Sequence, residues 1–289
     1  MVVMRGWWQD LTDLVLPADC AGCGAPRTAL CARCRAMLGA GVARRVRPVP
    51  EPAGLPVVHA VAPYAAEVRA LLLAHKERGA LVLAGVLGRA LAGAVRAGLG
   101  KGGAGATASG RGPVLLVPVP SARWAVRARG HDPVRRMALA AAGELRRTGT
   151  PARVAAVLRQ RRAVADQAGL DARQRLENLA GALEVSPGGG RLLGAGRVVL
   201  VDDLMTTGAS LAEAARALRG AGLSRPDRGT VVYDAITREG REEQRIGVRQ
   251  ERSEWVHSAP EKAVLNAVGV MLRAAVIAAP RDSFGINRN

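Results

Sequence analysis

At 289 residues the chain is long enough for one sizeable α/β core and a small accessory module. Hydrophobic residues make up 49% and aromatics only 2%, so Val, Leu and Ala build the core and few rings are left to stack on bases. The formal net charge of +18 fits polyanionic partners such as nucleic acid, nucleotides or a polyphosphate; it fits equally a chain that prefers Arg wherever Lys would serve.

No uninterrupted apolar run approaches the roughly 18–20 residues of a membrane span, so no membrane insertion is expected. Trp7 and Trp8 precede Leu11, Leu14, Val15 and Leu16, a short amphipathic helix ended by Pro17. Asp10, Asp13 and Asp19 break up the apolar core a signal peptide needs, and the reading is a cytoplasmic chain. The four cysteines follow as Cys20-x2-Cys23-x7-Cys31-x2-Cys34, a spacing that lets four thiolates converge on one structural Zn²⁺. Two disulfides are the alternative, disfavoured in a reducing compartment. Residues 1–47 are read as this zinc module. Pro48, Pro50, Pro52 and Pro56 then give Val42–Pro56 the composition of a linker.

The second domain spans 57–289. Val57–Ala62 reads as its first strand, Glu67–Leu73 as a helix, and His75-Lys76-Glu77-Arg78-Gly79 as a basic turn suited to an oxyanion or simply a solvated helix end. Leu81–Leu99 is helical by period, and Gly100–Gly112 has a surface loop's composition. Val114–Val119 is a buried strand, followed by a basic loop with Arg123, Arg127 and Arg129, then a helix over Pro133–Arg147. Neighbouring strand ends share one crevice, so this loop is placed to meet a diphosphate with guanidinium forks. A third strand is expected at Arg153–Leu158. The Arg-rich stretch from Arg159 to Asn178 reads as a lid over an active site or a solvated charged helix.

The most informative stretch is Arg197–Leu211, RVVLVDDLMTTGASL. Val198–Val201 is a strand buried on both faces, with Asp202 and Asp203 at its carboxyl end. Thr206, Thr207, Gly208, Ala209 and Ser210 then lead into a helix, and hydroxyls and backbone N–H groups at a helix start form an anion site. Two carboxylates repel that anion and suit hydroxyl donors or Mg²⁺ instead. A phosphate at one end and a diol at the other describe a ribose 5-phosphate. The plain alternative is an ordinary buried strand ending in an N-capped helix.

VVLVDDLMTTGAS resembles the phosphoribosyl-pyrophosphate (PRPP) motif of type I phosphoribosyltransferases. The paired Cys-x2-Cys knuckles, HKERG, VPVP with RARGHD, and Gln167…Arg175…Asn178 stand in the order of the ComF-type members of that class, from Trp7 to about Leu223 and again from Leu272 to Ala278. The resemblance implies an α/β type I phosphoribosyltransferase fold, a parallel sheet flanked by helices, and PRPP bound with Mg²⁺. It implies phosphoribosyl transfer to a nitrogenous acceptor: Asp202 and Asp203 hold the ribose hydroxyls, Thr206–Ser210 the 5-phosphate, and Lys76 with Arg123, Arg127 and Arg129 the diphosphate. It further implies a role in DNA uptake by competent bacteria, with single-stranded DNA and competence proteins as partners and a homodimer left open. A non-catalytic binder of PRPP, nucleotide or single-stranded DNA is the rival expectation. A dinucleotide enzyme is disfavoured because no G-x-G-x-x-G turn follows a strand. Two departures stand out: His131-Asp132 replaces the family's aromatic and Asn, and Ser224–Met271 reads as an insertion.

Overall fold

A computed structural model describes residues 19–39, 42–100, 112–164, 169–194, 196–223 and 272–285. The expected helix ahead of Pro17, the glycine-rich loop, Gln167 and the Ser224–Met271 segment lie outside the described residues.

A six-stranded sheet carries the fold, in the order β1-β2-β8-β7-β3-β4. Its edge strand β1 (Arg44–Val46) is antiparallel to β2 (Val57–Pro63). The rest run parallel: β3 (Val114–Pro118), β4 (Ala152–Val154), β7 (Arg197–Leu204) and β8 (Arg273–Ala279). Strands β5 (Leu158–Gln160) and β6 (Leu183–Val185) form a separate antiparallel pair. All of β3 and the interior of β7 are buried, as parallel strands covered on both faces must be.

Alternating side chains send Val114, Leu116, Val199, Val201 and Ile277 into one core and Leu115, Val117, Val198, Leu200 and Val276 into another. The first core packs α2 (Ala66–Glu77), α3 (Ala84–Leu99) and α5 (Pro133–Arg147) on the sheet. At Gly88 a side chain would collide with Ala140, so α3 and α5 approach backbone to backbone. The second core packs Leu193 of α7 (Gly189–Leu193) and Leu211, Ala214, Ala215 and Leu218 of α8 (Ala209–Leu223), with Leu158 and Leu183 of the small hairpin, against the other face. Each fully buried Leu or Val contributes about 1.5–3 kcal/mol, so aliphatic side chains hold the sheet, with Tyr64 and Phe284 packed at the margins of the two cores. Asp132 caps α5, accepting a bond from the backbone N–H of Arg135 at 3.0 Å, with Pro133 in the first turn.

Four sequence expectations change. Residues 44–46, read as linker, form β1, and Arg123–Arg129, read as loop, is helix α4, closed by Gly130 at φ 73°. The third strand divides: Ala152–Val154 joins the sheet, while Leu158–Gln160 turns away to pair with β6. Leu81–Leu99, among the described residues, is long and apolar enough to cross a membrane, at mean hydropathy 1.5, with 61% of it buried inside the fold. Arg89 and Arg96 interrupt that run in the sequence, and its apolar face is the one packed on the sheet and α5.

Helix α1 (Ala32–Gly39) carries Cys34 and Leu38 into the first core, where Cys20 and Leu30 also lie beside Leu71 of α2. A side chain at Gly22 would sit 2.8 Å from the Cys34 sulfur and 3.2 Å from Leu71. The cysteine cluster is seated directly on α2.

Candidate functional site

From β3 the chain moves outward to β4, and from the adjacent β7 it moves the other way to β8. Connections that diverge from neighbouring parallel strands leave a crevice at their carboxyl ends. A cleft of ≈ 550 Å³ opens there. Its walls include Lys76, Arg129, Asp202, Asp203, Thr206 and Ser210, six of the residues singled out in the sequence.

β7 runs on through both acids to Leu204, and Asp202 pairs in register with Val276 of β8. Both carboxylates are over nine-tenths buried, at 8% and 7% exposure. The backbone N–H of Asp203 donates to Asp202 Oδ1 at 2.8 Å, and Lys76 Nζ donates to Asp203 Oδ2 at 3.1 Å. Burial and the charge of Asp203 push the Asp202 carboxyl well above the usual carboxylate range. Burial is the largest influence on Asp203 and opposes its charge, but the Lys76 ammonium and hydrogen bonds from Asp202, Lys76 and the Leu204 backbone together outweigh it and hold that carboxyl low. Asp203 in turn raises Lys76. The cleft therefore contains one carboxylate held charged by a counter-ion and one carboxyl whose ionisation is opposed by burial and by its neighbour.

Gly208 has φ +79°, and its missing side chain faces Leu55 and Pro52 at 3.1–3.3 Å. Glycine is required there for the turn and for the passage of that neighbouring segment. The Thr207 hydroxyl accepts from the N–H of Ala209 at 3.5 Å, and Ala212 N–H donates to the Gly208 carbonyl at 2.9 Å as α8 begins. Thr206 and Ser210 line the cleft; Thr207, Gly208 and Ala209 shape the loop that presents them.

Sequence reasoning left Arg175 without a site role. It stands on α6 (Ala172–Leu179), a helix set by a reciprocal Asp171–Gln174 capping box. Its Nη1 donates to Thr206 Oγ1 at 3.2 Å, while its Nε is buried without a partner. The position was within the Arg-rich stretch, but only the fold brings it to the threonine loop. Arg123 and Arg127 are exposed on α4 and do not line the cleft. Arg129 does, and both ends of its fork hold Glu77 at 2.8 Å. His131 joins the same corner: its ring nitrogens lie 3.1 Å from the Arg129 carbonyl and 3.2 Å from that of His75. This corner fixes the end of α2, and with it Lys76, against α4.

α8 is tied to the small hairpin by Glu213, which accepts from Leu183 N–H at 2.9 Å and pairs with Arg216 at 2.7 Å. Leu183 and Gln160 of that hairpin reach the cleft wall. A strand pair of six residues is thereby held against the helix that begins at the threonine loop.

The second constellation is Cys20, Cys23, Cys31 and Cys34, whose sulfurs all lie within 4.8 Å of one another and form no disulfide. Four thiolates around Zn²⁺ stand about 3.8 Å apart at Zn–S distances of ~2.3 Å, so the group fits such an ion. N–H groups of Cys31 and Cys34 point at the sulfurs of Cys20 and Cys31, at 3.3 and 3.4 Å. Burial disfavours a thiolate at Cys20, yet the backbone N–H groups of Cys31, Cys23 and Gly22, with the Cys31 thiol, lower its pKa to about 6. With all four ligands supplied by the chain, such a centre is structural.

No protein-family model matches the chain, and no curated protein matches it at a significant level.

Proposed function

We propose that this chain is a ComF-type phosphoribosyltransferase that binds PRPP with Mg²⁺ across the carboxyl ends of β3 and β7. The observation that carries the reading is the buried Asp202–Asp203 pair opening into the same cleft as Thr206 and Ser210, at the point where the sheet's connections diverge. Fold similarity alone would not carry it.

In this reading Thr206 and Ser210 take the 5-phosphate, with Arg175, already bonded to Thr206, as its counter-charge. Asp202 and Asp203 accept hydrogen bonds from the two ribose hydroxyls. Lys76 leaves Asp203 as those hydroxyls arrive and faces the diphosphate with Arg129. Two carboxylates are hard oxygen donors but too few to enclose Mg²⁺, which fits an ion that keeps water and substrate oxygens as its other ligands. Bound there, Mg²⁺ would neutralise the leaving diphosphate. As the bond from C1 to that group breaks, the ribose ring gains positive charge and the buried carboxylates stabilise it. The diphosphate leaves with the electron pair of its bond to C1, and a nitrogen nucleophile forms the new bond to C1 and releases its proton to solvent.

The zinc centre braces α2 beneath Lys76. A cytoplasmic setting rests on the sequence reading of the four cysteines as metal ligands. The link to DNA uptake rests on the sequence resemblance. A non-catalytic binder of PRPP or single-stranded DNA is the second reading, favoured by the +18 charge and by Arg123 and Arg127 exposed on the helix that walls the cleft. Diphosphate release separates the two. With PRPP, Mg²⁺ and a panel of nitrogenous acceptors, the transferase reading expects acceptor-dependent release; binding of PRPP with no release from any acceptor favours the binder.

A further inference from the structure

His131 stands where two helices end. Arg129 is the last residue of α4, and His75 lies in the last turn of α2. Carbonyls at such positions lack an intrahelical partner and form the negative end of the helix dipole. Each ring nitrogen of His131 faces one of them: Nδ1 lies 3.1 Å from the Arg129 carbonyl and Nε2 3.2 Å from that of His75. A neutral imidazole has a single N–H, so it donates to one carbonyl and sets a lone pair against the other. The protonated ring has two N–H groups and donates to both. Both bonds end on backbone that carries a cation of the cleft wall: Arg129 itself, and the peptide that joins His75 to Lys76.

We infer that His131 is a positioning residue for the diphosphate end of the cleft: its protonated ring straps the end of α2 to the end of α4, so that Lys76 and Arg129 grip a diphosphate more tightly as pH falls through neutrality. The inference rests on the transferase reading and adds to it a proton-linked control of the same site. The charged and titratable groups at this corner are His75, Lys76, Glu77, Arg129 and Asp132. Glu77 is held by the fork of Arg129, Lys76 pairs with Asp203, and Asp132 accepts from the Arg135 N–H. His75 is the rival for the proton, with its ring centroid 5.9 Å from that of His131. Its nitrogens also face two carbonyls, those of Ala80 and Pro133, but at 3.4 Å each. Burial lowers the His75 ring below the ordinary histidine range despite those contacts. His75 is 1% exposed and His131 is half-buried, so a single charge shared by the two rings falls on the one that loses less hydration.

The test is calorimetric binding to the full zinc-loaded chain at about pH 8 and about pH 6, the span over which histidines ordinarily change charge. The probes are PRPP with Mg²⁺ and ribose 5-phosphate, which lacks the diphosphate. Wild type is compared with His131→Phe, which keeps a ring but has no N–H, and with His131→Gln, whose amide donates alike at both pH values. Titration of PRPP itself and of Asp202 is common to the three proteins and cancels in the ratios. The expected result is that wild type binds PRPP at least about fivefold better than His131→Phe at the lower pH, with a clearly smaller ratio at the higher one. His131→Gln shows no such dependence, and ribose 5-phosphate affinity stays within about twofold across all three proteins. Two outcomes overturn the inference while leaving the transferase reading intact. One is a wild-type to His131→Phe ratio that is the same at both pH values. The other is ribose 5-phosphate weakened as much as PRPP, which makes the ring a packing element of the whole site. Absence of PRPP binding to wild type at either pH is the separate failure, that of the transferase reading, and the inference falls with it.

Discussion

Lys76 and Asp203 stand 127 positions apart in sequence and 3.1 Å apart in space. Removing the cation with Lys76→Met leaves a buried carboxylate facing Asp202 alone. A fully buried pair broken in this way costs roughly 3–5 kcal/mol. Because 35% of the Lys76 side chain is open to solvent, the expected cost here is about 1–3 kcal/mol, read as a lower denaturation midpoint. The pH dependence has a definite sign. Asp203 is held below its ordinary value, so its contribution is complete above the unfolded carboxyl's titration and fades as pH falls through the lower folded value. Lys76 is raised, so its contribution is complete below the unfolded lysine's titration and fades as pH rises through the higher folded value. The difference between wild type and Lys76→Met is thus greatest across neutral pH and shrinks at both extremes; a constant difference from acid to alkali would contradict the pairing. Lys76 was recognisable in the sequence as a basic residue closing a turn, but its partner was not, since nothing local links HKERG to VDDL. Arg175 was hidden for the same reason: its meaning lies in its bond to Thr206.

At the scale of elements, the strand, acidic pair and threonine loop were legible because their signals are contiguous: a β-branched run, two carboxylates, then a helix start. The purpose of Gly208 was only half legible. Its positive φ belongs to the loop, but the close neighbours are Leu55 and Pro52, from a segment more than 150 positions earlier. Gly208→Ala is expected to cost about 1–2 kcal/mol from the left-handed backbone alone, with a further loss as Leu55 gives way. Thermal denaturation measures it, and an unchanged Tm would contradict the geometry. β1 and the β5–β6 pair escaped the sequence reading because three-residue strands carry no period to detect. RWAVRAR likewise lacks a recognisable cap, and its helix is settled by Ala125 packing inward and Gly130 ending it.

For the molecule as a whole, the cysteine cluster and the cleft are joined through α2. Cys34 shares the first core with Leu71, near the middle of that helix, a side chain at Gly22 would lie 3.2 Å from Leu71, and Lys76 stands at the helix end. Stripping metal with a chelator under reducing conditions is expected to lower Tm by roughly 5 °C or more, since a chain of this size loses about 2–4 °C per kcal/mol. Metal analysis should return one Zn²⁺ per chain; none from a reduced preparation would refute the centre. On the proposed function, the paired acids hold the hydroxyls of a ribose phosphate. Calorimetric titration of PRPP with Mg²⁺ into the zinc-loaded protein tests it most directly, alongside the Asp202→Asn, Asp203→Asn double variant. Saturable one-to-one binding to wild type is expected, with a loss of at least about 100-fold in a double variant whose circular dichroism is unchanged, because both carboxyl acceptors of the ribose hydroxyls become amides. Equal affinity in the two proteins, or no binding to wild type, would contradict it.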